Sequence, residues 1–525
     1  MPGWLKNAIF YEIYPQSFMD SNGDGIGDLQ GIIEKLSYIK ELGFNALWIN
    51  PIYDSPFKDA GYDVRDYKKV AARYGTGDDA RALFQKAHDM GIHVLLDLVP
   101  GHTSEEHEWF KKSCEIDRNE YSDRYVWTDS VWKGIADHPY ISGEAERDGV
   151  YMLNFFKAQP ALNYGFGDVK ESWQMAPEDE GPRATVDAMI DVIRFWLDMG
   201  CDGFRVDMAD SLVKSDDDVK SHTSKIWAGV FDVIRRDYPE AAFVAEWSNP
   251  TSALSLAHFD MDFYLDHHYN GYNTLVRDYE TEGGDHSFFK RRAGGDIKRF
   301  LDDYLPKYEK TRGDGYISFI SCNHDTPRPS RNLRADELKL FYAFLFTMPG
   351  VPFMYYGDEI GMRYIDSLRT KEGGYQRTGT RTPMQWNRDV NMGFSTASSD
   401  RLYLPLDPSS DAPCVSDAMA DTDSLYYTVK DMISLRLEYE DLQADAPFEV
   451  LYGEKESFPF VYKRGDIVIA INPSGDEASC DIRPDDAKRL DSMECLYHIG
   501  EFEVGESDGD SNKLTMGAGA FVMFK

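Results

Sequence analysis

The chain has 525 residues, with 56 Lys and Arg against 91 Asp and Glu, a formal charge of −35. That length calls for one large domain with appendages or for several ordinary ones. A content of 42% hydrophobic and 14% aromatic residues supplies a sizeable core and excludes a disordered chain. The acidic balance lacks the Lys/Arg-rich faces that nucleic acid and anionic membrane require, so neither is an expected partner and a neutral substrate is.

In chain order, Met1 to Phe10 shows no basic segment followed by an apolar core, so no secretory signal is read there. Predicted strands follow at Ile9–Ile13, Ala46–Ile49, His93–Leu98, Gly203–Val206, Ala242–Ala245, Met261–Tyr264, Ile317–Ser321 and Pro352–Tyr356. Predicted helices lie at Leu29–Leu42, Ala80–Met90, Ala184–Met199, Val219–Tyr238 and Ala335–Met348. Met189, Val192, Ile193, Trp196 and Leu197 repeat at i, i+3, i+4, i+7 and i+8, one apolar helix face, so Trp196, like Trp227, reads as packing. Strands alternating with helices imply parallel pairing through crossovers, and eight of them fit a (β/α)₈ TIM barrel of α/β class. The most apolar stretch, Phe341–Tyr356, is broken by Pro349, Gly350 and Pro352 and is too short to span a membrane. Cys114, Cys201, Cys322, Cys414, Cys480 and Cys495 lack metal-ligand spacing, which suits reduced thiols in a cytoplasm.

Two segments break the rhythm. After His102 about 65 residues rich in Trp, Tyr, Asp and His read as a subdomain inserted after the third strand. Past a last helix, Ser424–Tyr439, alternating strands such as Phe460–Tyr462, Ile467–Ile471 and Ala520–Phe524 predict a C-terminal antiparallel β-sandwich. The expected organisation is barrel 1–102, insertion 103–167, barrel 168–443 and sandwich 444–525.

In a barrel the C-terminal strand ends face the mouth. The fourth strand runs into Arg205-Val206-Asp207, the fifth into Glu246, and the seventh into Asn323-His324-Asp325; the third ends in Asp97 with His102 shortly after, and Tyr62-Asp63 follows the second. One such acid alone is as well read as a helix cap or a barrel ion pair. Three, with two histidines and an arginine, point to paired carboxylates flanking a glycosidic bond, one ionised and one holding a proton. Arg205, two residues before Asp207 on one strand face, can keep Asp207 ionised. His102 and His324 are placed to donate to sugar hydroxyls.

The segments Asp97-Leu-Val-Pro-Gly-His102, Gly203-Phe-Arg-Val-Asp207, Ala245-Glu246-Trp247 and Asn323-His324-Asp325, in that order, resemble the α-amylase family, glycoside hydrolase family 13. The resemblance implies a retaining mechanism with Asp207 as nucleophile, Glu246 as general acid/base and Asp325 clamping sugar hydroxyls. It places Asp63, His102, Arg205 and His324 around the non-reducing glucosyl unit. Arg381-Thr-Pro-Met-Gln-Trp386, Tyr356-Gly-Asp-Glu-Ile-Gly361 and Gln159-Pro-Ala-Leu-Asn163 resemble the oligo-1,6-glucosidase and trehalose synthase branch, where Arg381 would close the pocket and favour exo-action. Gly101 stands where the family pattern has Asn, Ala161 where it has Asp, and Met208 after the nucleophile fits neither the α-1,4 nor the α-1,6 pattern. Among the aromatics, Tyr62 and Phe156 are the chosen sugar-stacking candidates.

Asp20-Ser-Asn22-Gly-Asp24-Gly-Ile26-Gly-Asp28 sets oxygen donors at alternate positions, like the start of an EF-hand loop, but its twelfth position is Gly31, so it is not one. It resembles the calcium loop of the same branch, with the Ile26 carbonyl as a ligand: a structural Ca²⁺ (or Mg²⁺) is expected, and no organic cofactor. The expected function is an exo-acting α-glucosidase on short oligosaccharides, as a monomer or weak homodimer. Rivals on the same scaffold are a trehalose- or sucrose-isomer-forming transglycosylase and an endo-acting amylase. A non-catalytic partner-subunit reading would need a membrane span and lost carboxylates, whereas this chain keeps Asp207, Glu246 and Asp325.

Overall fold

A computed structural model of the chain describes residues 1–265, 270–278, 284–482, 489–506 and 511–525. All eight predicted barrel strands form: β1 Phe10–Ile13, β2 Ala46–Ile49, β3 His93–Leu98, β4 Gly203–Val206, β5 Ala242–Ala245, β6 Met261–Phe263, β7 Tyr316–Ser318 and β8 Phe353–Tyr355. Neighbours in sequence pair in parallel from β1 to β7, and β8 pairs with β1. The ring closes where Ser321 donates to the Phe353 carbonyl and Phe353 to the Phe319 carbonyl, both at 2.9 Å. Both faces of such strands are covered, which is why their sequences are nearly continuous apolar runs rather than alternating ones.

The connecting helices begin and end where their caps dictate. Helix α1, Leu29–Leu42, starts at Asp28, whose side chain accepts the Gly31 N–H, and stops at Gly43 with φ 103°. Helix α2, Gly77–Asp89, starts a turn earlier than its apolar pattern suggests because Thr76 and Asp79 form a reciprocal capping box. Helices α3 Glu180–Met199 and α4 Ser221–Asp237 follow, and α3 ends at Gly200 with φ 113°. Between β5 and β6 a six-residue π-helical turn, Thr251–Leu256, replaces a full helix. Helix α5, Ile297–Thr311, was not expected, since Pro306 lies inside it; its apolar stripe Ile297, Phe300, Leu301 and Tyr304 is buried and outweighs the lost backbone bond. Helices α6 Ala335–Thr347 and α7 Leu425–Glu438 come later in the chain.

Between β3 and α3 the chain leaves the barrel as a largely irregular excursion. A hairpin pairs Tyr140–Ser142 with Val150–Met152, and Val126, Ile135, Val150, Met152, Ala161 and Phe166 form a small core of its own. Backbone bridges at His102–Ala161 and Phe166–Lys214 tie it back to the mouth.

The C-terminal part is two antiparallel sheets. With β9 Phe448–Tyr452, β10 Phe460–Arg464, β11 Ile467–Asn472, β12 Ala478–Ile482, β13 Cys495–Ile499, β14 Phe502–Glu506, β15 Asn512–Met516 and β16 Ala520–Phe524, the orders are β9-β10-β11-β16-β13 and β12-β15-β14. Val461, Val468, Leu514 and Val522 fill the space between them. Buried Arg464 of β10 fixes this part to the barrel by donating to the carbonyls of Thr347 and Gln443, while buried Arg436 of α7 ties its helix to the carbonyls of Phe346, Met348 and Gly350. Trp196 and Trp227 are core residues, and the six cysteines are free thiols. Among the described residues no helix is long and apolar enough to cross a membrane.

Candidate active site

Sheet register sets Asp97 beside Arg205, and Arg205 shares one face of β4 with Asp207. Arg205 is 1% exposed. Its Nη1 donates to Asp97 Oδ1 at 2.7 Å and Asp207 Oδ1 at 2.9 Å, while Nη2 lies 2.8 Å from Glu246 Oε2. One guanidinium therefore holds acids from the ends of three neighbouring strands. Asp97 also accepts from Trp48 Nε1 at 3.1 Å and Tyr62 Oη at 3.0 Å. Met208 follows Asp207 at φ 42°, ψ 49°, a left-handed conformation that a side-chain-bearing residue adopts at a cost. That turn aims its N–H at Glu246 Oε2, 2.9 Å away. Position 208 thus acts on the acid through its backbone, which explains how a residue outside either linkage pattern is accommodated.

Burial is the main cause raising the pKa values of Asp97, Asp207 and Glu246, and Arg205 opposes it at all three. Glu246 and Asp97 push Asp207 further up; Asp325 and Asp97 do the same to Glu246. Three carboxylates share one cation, so the cluster keeps a proton more tightly than an isolated carboxyl group does.

Across the mouth, Asp325 accepts from Arg381 Nη2 at 2.5 Å and Arg377 Nη1 at 3.0 Å, and His324 Nε2 lies 3.5 Å away. Burial resists ionisation of Asp325, but the His324 ring and the two guanidinium groups outweigh it and hold the carboxyl group well below the usual range. Arg381 is fixed by the His324 carbonyl at 2.8 Å. Arg377 reaches on to Asp59 Oδ1 at 3.4 Å, and Gln159 Nε2 donates to Asp59 Oδ2 at 2.8 Å. Burial lifts the Asp59 pKa to about 6 against the pull of Arg377.

Asp59 thereby takes the place expected for Asp63. Asp63 is fully enclosed and accepts the Lys58 and Asp59 N–H groups at 2.8 and 3.0 Å and the Ser55 hydroxyl at 3.0 Å. It braces the 55–63 turn and does not line the pocket. The turn passes through left-handed backbone at Phe57 and Ala60, which separates two acids only four residues apart. Sequence spacing carries no signal for that reversal, nor for Arg377, which reads as an ordinary loop arginine.

Tyr62 stacks on His324 with ring centroids 5.3 Å apart and planes at 11°. His102 is buried with both nitrogens engaged: Asn154 Nδ2 at 3.2 Å from Nδ1, the Tyr62 carbonyl at 3.1 Å from Nε2. Burial lowers its pKa to about 3, so the ring is neutral. Gly101 leaves room for Asn154, whose Nδ2 would sit 2.7 Å from a Cβ at that position. The Lys214 ammonium donates to Asn154 Oδ1 at 2.8 Å and to the Ser211 carbonyl, joining the insertion to the barrel. Phe156 is half-buried at the rim, beside Phe155, Tyr375 and Arg377. Trp109 packs on His107 and Tyr67, and Tyr164 donates to the Pro100 carbonyl.

The Asp20–Asp28 loop folds on its own amides. Asp20 accepts the N–H groups of Asn22, Gly23 and Gly25 and the Ser395 hydroxyl, Asn22 that of Asp24, and Asp24 that of Ile26. Among the described residues no three His, Cys, Asp or Glu side chains form a metal cluster. The loop's donors are mixed carboxylate, amide and carbonyl oxygens, the chemistry of a hard cation.

A closed parallel barrel bearing carboxylates from three strands on one guanidinium at its C-terminal mouth is the frame of a carbohydrate-cleaving enzyme. The profile of the alpha-amylase catalytic domain matches residues 12–445, and with that match the chain belongs to the α-amylase family of glycoside hydrolases. It is 31% identical to the glucan 1,6-alpha-glucosidase of Streptococcus pneumoniae, covering 90% of this chain and 92% of that protein. It is also 31% identical to the oligo-1,6-glucosidase of Heyndrickxia coagulans (93% and 95% covered) and 33% to the trehalose synthase/amylase TreS of Mycolicibacterium smegmatis (86% and 79%). The fold is that of the trehalulose synthase MutB from Pseudomonas mesoacidophila, with a TM-score of 0.79, 24% identity and full coverage of both chains.

Proposed function

We propose that this enzyme is a retaining, exo-acting α-glucosidase that removes terminal α-linked glucose from short oligosaccharides. The observation that carries the reading is the pair of opposed clusters: three carboxylates on Arg205, and Asp325 with Asp59 held by Arg377 and Arg381. Two arginines and two acids give a compact polar seat for the hydroxyls of one terminal sugar. The named activities of the two glucosidase relatives support the same reading.

Glu246 is the member of the acid cluster most open to the mouth, its side chain 20% exposed against 11% for Asp207 and none for Asp97. It carries the shared proton and gives it to the leaving glycosidic oxygen while the Asp207 carboxylate attacks C1. Glu246, now ionised, takes a proton from water, whose oxygen attacks C1, breaks the glucosyl ester and frees Asp207. Asp325 and Asp59 accept hydrogen bonds from the sugar hydroxyls; Tyr62 offers the stacking face. A structural Ca²⁺ held by Asp20, Asn22, Asp24, Asp28 and the Ile26 carbonyl belongs to the proposal, with Mg²⁺ as its competitor, and its task is to brace the loop before α1. The free thiols support a reducing, cytoplasmic setting.

Incubation with maltose, isomaltose, sucrose, trehalose and maltoheptaose, with every product identified over time, tests the reading. Glucose as the first product from a disaccharide supports it. A new disaccharide at constant total sugar assigns the chain to the isomerases, a rival that the trehalose synthase relative represents, and internal cleavage of maltoheptaose alone refutes the closed seat.

A further inference from the structure

Strand β1 brings one acid to the pocket floor that the scheme above does not use. Glu12 is 1% exposed, in register with Trp48 on one side and Tyr355 on the other. Its Oε1 lies 2.9 Å from His324 Nδ1, and Asn50, Arg205, Asp97, the His324 backbone N–H and Tyr355 are the other polar groups facing it. We propose that Glu12 is a positioning residue: as a neutral acid it donates its proton to His324 Nδ1 and fixes the ring as the tautomer whose Nε2–H points to Tyr62 and Asp325. The proposal rests on the catalytic reading above only for its kinetic consequence.

The argument is a proton count. Asp97 is paired with Arg205 at 2.7 Å, so as a carboxylate it only accepts, and Tyr62 Oη at 3.0 Å spends its single proton on Asp97. Tyr62 Oη is also 2.8 Å from His324 Nε2, so that contact needs Nε2–H as donor. A neutral ring protonated at Nε2 presents a lone pair at Nδ1. Glu12 can meet that lone pair at 2.9 Å only with a proton on Oε1. An ionised Glu12 would set a charged oxygen against the lone pair with nothing between. It would also leave Oε2, which has no hydrogen-bond partner, as a bare buried anion. Asn50 Nδ2, 3.1 Å from Nδ1 and 3.2 Å from Tyr62 Oη, can share the donation; it also faces Glu12 and, with Arg205 and the His324 backbone N–H, favours the ionised form, but burial outweighs all three. A doubly protonated ring is favoured by Asp325, 3.5 Å from Nε2, but burial together with Arg381, Arg205 and Arg377 outweighs it. Independently, burial raises the Glu12 pKa well above the carboxylate range, and burial lowers that of His324.

The consequence is that Glu12 keeps His324 a donor toward the sugar seat, next to the transition-state clamp Asp325. The test compares Glu12→Leu with Glu12→Gln, whose amide can donate to Nδ1 without bearing charge. Leu is expected to lower kcat/KM by roughly tenfold or more, the loss of one oriented hydrogen bond, and Gln to restore most of it. The basic limb of the pH–rate profile, which reports the proton on the acid cluster, should stay in place in Glu12→Gln. Had Glu12 been ionised, removing its charge would shift that limb to lower pH by about half a unit or more, and the proposal would be overturned. Ring ¹⁵N shifts of histidine-labelled protein, assigned with His324→Gln, should show Nε2 protonated and Nδ1 bare in the native chain. A protonated Nδ1 overturns the proposal, and this readout needs neither a substrate nor a folded Leu variant, so it separates failure of the inference from failure of the proposed activity.

Discussion

Arg205→Lys is the sharpest single perturbation of the acid cluster. The guanidinium fork serves Asp97 and Asp207 from Nη1 and Glu246 from Nη2, all between 2.7 and 2.9 Å. An ammonium group keeps the charge but is one point on a flexible stem, so it cannot span both edges of that fork. At least one charge-assisted hydrogen bond is lost, worth about 1.5–3 kcal/mol, and a buried carboxylate is left without its partner. If that loss falls on the transition state, kcat/KM drops by roughly ten- to a hundredfold at about 1.4 kcal/mol per decade. The sign of the pH effect follows from the same contacts. Weaker pairing raises the Asp207 pKa further, so the acidic limb, where the nucleophile must be ionised, moves to higher pH. Hydrolysis of a 4-nitrophenyl α-glucoside across the pH range, with a melting curve to confirm folding, measures both. A folded variant with less than about threefold loss and an unmoved acidic limb would refute the view that one guanidinium sets the charge state of the three acids.

Asp59→Asn and Asp63→Asn should separate two acids that sequence reading conflates: the first is expected to raise KM or lower kcat/KM by roughly tenfold or more, the second to lower the melting temperature with KM nearly unchanged, because Asp63 only braces its turn. Asp59 also makes a pH prediction. Its folded pKa of about 6 exceeds its unfolded value of about 3.9, so the folded state keeps a proton that the unfolded chain releases. The Asp59 contribution to stability is full below about pH 4 and is lost as pH rises through about 6, and Asp59→Asn should remove that slope from melting temperature against pH. Adding Ca²⁺ to chelator-treated protein should raise the melting temperature, with kcat changed much less, and Asp24→Ala should abolish the shift; no shift in the native chain would dispose of the metal loop.

Much of the site was legible in the chain because barrel chemistry is one-dimensional at its strand ends. An apolar run that stops at Asp97, Asp207, Glu246 or Asp325 announces both a buried parallel strand and an acid at the mouth, since burying an acid without a partner is too costly to be incidental. The alternation of such runs with amphipathic helices determined the barrel, its excursion after β3 and the antiparallel tail. Helix α5 escaped because Pro306 masks a 3.6-residue pattern whose driving force is burial of the stripe that includes Tyr304.

Tertiary structure alone decided the rest. Which of Asp59 and Asp63 faces the sugar seat depends on two left-handed residues in a turn, and no periodicity records a turn's direction. Arg377 meets Asp325 across 52 positions and Asp59 across 318, and Glu12 meets His324 across 312. Such partners are set by barrel closure, not by neighbours in the chain. The protonation state of each buried group follows in turn from that three-dimensional company, because burial penalises any charge that the fold does not answer with another.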